Sequence, residues 1–195
     1  KINRGHIRRV LSWGKGADVV YQGPTGLTGW DNSGDKARWE TEGGQLMTAN
    51  PNAFIQADLG LPVKCSIEFE MSWKEKADFV LAMGVDNDPK NIQQAFRIEV
   101  WENDLVLMRE TDDEVDVVSL MKIKPGEGRL HLQVYLDQEK SRIFVYTADG
   151  RRLGDLEVSK GGGASLFTFT GLRLMNKRGD LRLERLRVTE WIGDA

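Results

Sequence analysis

The segment CSIEFEMSW constrains this chain most. Cys65, Ile67, Phe69, Met71 and Trp73 fall on one face of an extended backbone, and Ser66, Glu68, Glu70 and Ser72 on the other. Strict alternation over nine residues has a period of two. A helix would scatter those apolar groups around its circumference, whereas a strand lines them up along a half-buried face. The same pattern recurs in AFRIEVW, where Phe96, Ile98 and Val100 oppose Arg97, Glu99 and Trp101. It recurs in LHLQVYL, where Leu130, Leu132, Val134 and Leu136 oppose His131, Gln133 and Tyr135. LRLERLRV alternates with a one-residue slip at Glu184–Arg185, which predicts a β-bulge.

Turn-forming clusters (NSGD, EGG, DNDP, WEND, KPGEG, LDQEK, ADG, KGGG, NKRGD) separate these runs. Short strands at that spacing predict an all-β domain built as a two-sheet antiparallel sandwich. FVLAMGV, apolar on one face and small on the other, predicts an inner strand. DPKNIQQA is the best helical candidate. At 195 residues the chain suits one domain, and its 21 glycines suit many turns. Its single cysteine, Cys65, excludes an internal disulfide.

A net charge of −3 gives no general attraction to nucleic acid or anionic membrane. No apolar run approaches membrane-spanning length. Charge is nonetheless uneven. Residues 1–16 carry Lys1, Arg4, Arg8, Arg9 and Lys15 without an acid, and read as a basic tail or the remnant of a preceding module. The sandwich is then expected over residues 17–195. The chain reads as a fragment processed or excised from a longer parent with other domains. Arg182, Arg185 and Arg187, with Arg173, Lys177 and Arg178, predict a basic C-terminal hairpin whose default reading is solvated strand faces.

Four segments together carry a resemblance: GLTGW (Gly26 to Trp30), RWETEGGQLM (Arg38 to Met47), VKCSIEFEMSW, and the closing GLRLMNKRGDLRLERLRVTEW. Their order is similar to the concanavalin A-like jelly-roll domains grouped as 3-keto-disaccharide hydrolases of secreted bacterial proteins, and laminin-G-like domains share the architecture. The resemblance covers roughly residues 17 to 192. It implies a first strand, ADVVYQG, paired with the last, LRLERLRV. It implies an extracellular or periplasmic setting. Enzyme-like members carry cleft groups where this chain reads DFVLAMG, Arg97 with Glu99, and LMNKRG, and here those groups are largely replaced. A non-catalytic binding or scaffolding module is therefore expected, with carbohydrate or a partner protein as its ligand. A glycoside-active hydrolase of the same family type is the alternative.

Candidate chemistry is sparse. Glu68 and Glu70 sit on one strand face, about 6.5–7 Å apart at the backbone, a spacing that glycosidase carboxyl pairs can use. Glu99 is a third acid candidate. Glu114-Val115-Asp116 lacks a third acid, since position 119 is Ser119. Arg97, Glu99, Trp101, His131, Gln133 and Tyr135, with Glu68 and Glu70, would form a sugar-binding face if their strands are neighbours: rings stack on sugar C–H faces and planar polar groups fix hydroxyls. Cross-strand ion pairing explains the same residues equally simply. Asp86, Asn87 and Asp88 offer oxygens to Ca2+, or form an Asx-turn before Pro89. No other cofactor is expected. His6 and His131 do not make a zinc site.

Overall fold

The computed structural model describes residues 18–33, 38–158 and 168–192. Expectations for the basic segment 1–16 and for the KGGG loop fall outside them. In chain order the elements are β1 (Val19–Gly23), β2 (Asp31–Asn32), β3 (Glu40–Glu42), β4 (Gln45–Thr48), β5 (Ala53–Asp58), β6 (Lys64–Ser72), β7 (Phe79–Val85), α1 (Pro89–Gln94), β8 (Phe96–Trp101), β9 (Asp104–Glu110), β10 (Val115–Lys122), β11 (Arg129–Asp137), β12 (Arg142–Thr147), β13 (Arg152–Glu157), β14 (Gly171–Asn176) and β15 (Leu181–Glu190).

Two antiparallel sheets stack face to face. Sheet A runs β13-β12-β11-β6-β15-β4-β3, and sheet B runs β10-β9-β8-β7-β14-β5-β2. The long last strand β15 shares one edge between two partners. Its first residues pair with β4, and its last pair with β1, Val19 opposite Thr189. The expected closure of first strand on last is thus present. So is the slip: the β15–β6 register shifts between Leu183 and Arg185.

The inward residues of both sheets form one core. Cys65, Ile67, Phe69 and Met71 of β6 and Leu130, Leu132, Val134 and Leu136 of β11 meet Phe79, Leu81 and Met83 of β7, Ile98 and Val100 of β8, and Leu172 and Leu174 of β14. Burying each of these larger side chains stabilises the fold by about 1.5–3 kcal/mol. The Cys65 thiol is pushed up to about 12 by burial, so it serves as a small hydrophobe. Trp30 and Trp39 close one end of the core. Asn32 anchors Trp39: its Nδ2 donates to the Trp39 carbonyl and its Oδ1 accepts from the Trp39 amide, both at 2.9 Å.

Backbone approach is tight at the first residue of β14. Gly171 lies between β7 and β5, and a Cβ there would stand 2.5 Å from the Val85 carbonyl oxygen and 3.3 Å from that of Ala57. A side chain has no room.

DPKNIQQA does form a helix. Asp88 caps it by accepting from the Lys90 amide, and Pro89 opens it. The C-terminal hairpin expected from GLRLMNKRGDLRLERLRV does not form. β14 belongs to sheet B and β15 to sheet A, so residues 177–180 carry the chain from one layer to the other. Buried Asn176 supports the crossing, its Nδ2 donating to the carbonyls of Asn50 (3.1 Å) and Gly179 (2.9 Å). Turn chemistry marks a reversal, but the hydrogen-bonding partners of each strand decide its sheet.

Candidate functional site on the outer face of sheet B

The proposed composite face divides in two. β8 carries Arg97, Glu99 and Trp101 on the outside of sheet B, while β6 and β11 carry Glu68, Glu70, His131, Gln133 and Tyr135 on the outside of sheet A. The core lies between them. Both sets point outward, and therefore away from each other.

On sheet A the outward acids are satisfied by ion pairs. Glu68 Oε1 lies 2.8 Å from His131 Nε2 and 3.8 Å from Arg185. Glu70 Oε1 lies 2.6 Å from Arg129 Nε. Gln133 donates to Ser66 Oγ at 3.3 Å. Tyr135 is not available as a stacking surface. It is buried in a small aromatic cluster with Phe144, Tyr146 and Trp191, edge-on to Tyr146 and Trp191 at 5.6 and 5.7 Å. This face is a charged lattice beside a covered aromatic patch.

Sheet B presents a different surface. Arg97 and Glu99 follow one another on the outward side of β8, and Arg97 Nε sits 2.9 Å from Glu99 Oε1, each side chain only 12% exposed. The guanidinium donates to the Gln93 carbonyl at 2.8 Å and to Glu110 Oε2 at 3.3 Å. Glu99 Oε2 accepts the indole N–H of Trp101 at 3.0 Å. Glu99 Oε2 is thus hydrogen-bonded, while Oε1 is held by a charge contact with Arg97, whose Nε makes no hydrogen bond. The consequence falls on Trp101, which is 43% exposed yet held in orientation by a fixed acceptor.

Beside this group, Val80 of β7 faces Glu99 across the ladder, Met175 of β14 faces Val80, and Phe54 of β5 faces Met175. All three are half-buried and form an apolar floor. One row over, Arg173 of β14 stacks on Phe54, its guanidinium carbon 3.5 Å from the ring centroid. Arg173 also donates to Gln56 Oε1 at 3.1 Å. Gln56 is in turn fixed by donating to the Asp86 carbonyl (2.9 Å) and to Asn87 Oδ1 (2.7 Å). Burial pulls the Arg173 guanidinium below its ordinary value. Sequence reasoning placed Arg173 among solvated basic residues. Its flanking Leu172 and Leu174 did mark it as outward-facing, but nothing local reveals Phe54 beneath it.

The three acidic-loop residues nominated for Ca2+ are engaged by the protein. Asp86 Oδ1 accepts from the Asp88 amide at 2.9 Å and from Asn91 at 3.1 Å, Asn87 receives Gln56, and Asp88 caps α1. This is the Asx-turn alternative. Among the described residues, no three His, Cys, Asp or Glu side chains converge on one point.

Two clefts also lie among the described residues. One, of about 60 Å³, opens between the sheets beside α1, with Phe96, Arg109, Leu136 and Gln138 in its walls. The other, of about 180 Å³, adjoins Trp73 and Ile123. Both are smaller than the roughly 300–1,000 Å³ of ordinary ligand pockets.

The two antiparallel sheets form a jelly-roll β-sandwich of the concanavalin A-like kind. No known family matches the sequence, and no curated protein does. Solved structures do match in shape. A sialidase aligns with a TM-score of 0.63 at 15% identity, covering 84% of this chain and 17% of the sialidase. The carbohydrate-binding module CBM66 from Bacillus subtilis aligns at 0.60 and 12% identity, covering 83% of this chain and 96% of the module. The exoplasmic/lumenal domain of VIP36, bound to Ca2+ and Man3GlcNAc, aligns at 0.60 and 8% identity, covering 93% and 92%. Identities this low speak for the fold alone. No helix among the described residues is long and apolar enough to cross a membrane.

Proposed function

We propose that this chain is a carbohydrate-binding module that recognises glycans on the outer face of sheet B, with Trp101 as its stacking platform. The observation that carries this reading is the geometry of Trp101. Nearly half its surface is open, and its indole N–H is pinned by Glu99, which Arg97 holds in turn. A ring fixed before binding loses little rotamer freedom when a sugar stacks on it. The structural neighbours support a carbohydrate ligand, since a carbohydrate-binding module and a glycan-bound lumenal domain are among them. An extracellular or periplasmic location, within a longer parent protein, fits such a role.

The hydrolase alternative draws support from one feature. The segments where the enzyme-like family carries its cleft groups are β7, β8 and β14, and these are adjacent strands of sheet B. Against it, Glu99 Oε2 is taken by the Trp101 indole and Oε1 lies in an ion pair with Arg97, and Glu68 and Glu70 face the opposite side.

Glycan-array screening followed by calorimetry tests the proposal. Trp101→Ala is expected to weaken binding at least tenfold while leaving the melting temperature within a few degrees. His131→Ala on sheet A is expected to leave affinity unchanged. Binding that survives Trp101→Ala, or the absence of any glycan ligand, would refute the assignment. Release of sugar from a 3-keto-glucoside, abolished in Glu99→Gln, would establish the hydrolase instead.

A further inference from the structure

We infer that the glycan taken by this face is acidic, and that Arg173 is the residue that reads its carboxylate. The inference rests on the carbohydrate-binding reading above and names the ligand class of the same site.

Arg173 has no ion-pair partner among the described residues. Among the described residues no carboxylate approaches it within the 4.0 Å of an ion pair, and its described polar partner is the neutral Gln56. Its neighbour in the same cross-strand row behaves differently. Arg97, reached through Ala82, has Glu99 and Glu110. Two arginines on one sheet face have thus been treated oppositely, one neutralised and one left charged.

The uncompensated one is also fixed in orientation. Stacking on Phe54 fixes the plane of the guanidinium, and Gln56, itself buried and held from two sides, fixes its rotation. Burial already disfavours its charge, so a bound carboxylate would recover interaction energy that water supplies poorly there. A planar guanidinium with a free edge is the side chain suited to grip a carboxylate through two parallel hydrogen bonds. Phosphate or sulfate would share the charge. The flat presentation, on an open sheet face without a nest of backbone amides, favours the planar carboxylate.

Arg173 and Trp101 are also placed to act on one ligand. They lie two strands and four residues apart on the sheet, roughly 16 Å between Cα atoms. The guanidinium lies over Phe54 of β5, one row along the strands toward Trp101 and one strand farther from β8. Between them runs the floor of Val80 and Met175. That distance suits a short oligosaccharide, one ring stacked on Trp101 and a uronate- or sialate-type carboxylate at Arg173. Exposed Asp31, beyond Gln56 in the same row, limits the approach from the sheet edge and directs the ligand toward Trp101.

The test is a calorimetric panel on the intact protein. Carboxylated oligosaccharides (trigalacturonate, an alginate trimer, sialyllactose) are each compared with an uncharged counterpart, namely the methyl ester or the desialylated sugar, and with a sulfated oligosaccharide of equal length. A charge-assisted pair predicts a preference for at least one carboxylated probe of about ten- to a hundredfold. That preference should shrink with added salt and vanish in Arg173→Gln. The ester comparison needs no variant, so a folding defect in Arg173→Gln leaves the test intact. Equal binding of charged and neutral probes, with Trp101→Ala still impairing both, overturns the acidic class while the carbohydrate-binding reading stands. Binding of sulfated sugars as tight as carboxylated ones overturns the carboxylate assignment. Failure of every probe overturns both.

Discussion

If Glu99 is a structural clamp for Trp101 and not a catalytic acid, its coupling to Arg97 must be measurable in the folded state. The perturbation is a double-mutant cycle of Arg97→Gln, Glu99→Gln and the pair. The separation is 2.9 Å and both side chains are 12% exposed. Fully exposed pairs couple by about 0.2–1 kcal/mol, and breaking a fully buried pair costs about 3–5 kcal/mol. This pair lies between, and Glu110 partly substitutes as a partner for Arg97. A coupling energy of about 2 kcal/mol follows, large against the roughly 0.3–0.5 kcal/mol scatter of independent sites. Each single variant should lower the urea-unfolding free energy by about 2–3 kcal/mol, and the double variant should lose about 2 kcal/mol less than their sum. Urea titration followed by tryptophan fluorescence and circular dichroism reads all four proteins. A coupling below about 0.5 kcal/mol would mean that Glu99 is held by water and not by Arg97, and would return it to the list of free acids.

Two other expectations concern the framework. Gly171→Ala should cost at least about 2 kcal/mol, within the range for overpacking, because the added carbon meets the Val85 and Ala57 carbonyls and cannot rotate away; an unchanged urea midpoint would contradict the close approach. Cys65 should be inert to a thiol reagent at pH 8 in the folded protein and reactive once urea is added. Its pKa rises from 9.0 to about 12 on folding, so the folded state holds this proton more tightly. Stability should then fall by about 1.4 kcal/mol per pH unit from this group above pH 9, as the unfolded chain ionises first. A stability curve that is flat from pH 9 to 11 would refute that burial effect.

Alternation made most of the fold legible. The inward sets of β6, β8 and β11 were readable because a strand has only two sides, and the bulge in β15 was readable as a break in that rhythm. What a period of two does not contain is which sheet a strand joins. Arg97 and His131 were both correctly read as outward, yet outward from opposite layers, so the surface they seemed to share does not exist. The same gap hid the interlayer crossing at residues 177–180. At the site, the Arg97, Glu99 and Trp101 trio was visible because it lies within one strand. Arg173 was visible only as a charge. Its stacking partner Phe54 comes from a strand far earlier in the chain, and β14 brings the two together only by settling between β7 and β5. Tyr135 failed as a ligand candidate because Trp191, just past β15, folds over it.

The sharing of one β15 edge between β4 and β1 also bears on how the domain would carry tension. Asp18 and Glu190 are joined by a 3.0 Å backbone bond, so β1 begins and β15 ends at the same corner of sheet A. Force applied at those two strand ends would open β1 from β15 like a zipper, one bond at a time, and would also load β6, which pairs with the same end of β15. β4, on the far part of β15, and sheet B would stay unloaded. Stretching would therefore work on one corner of sheet A first, while sheet B kept its shape.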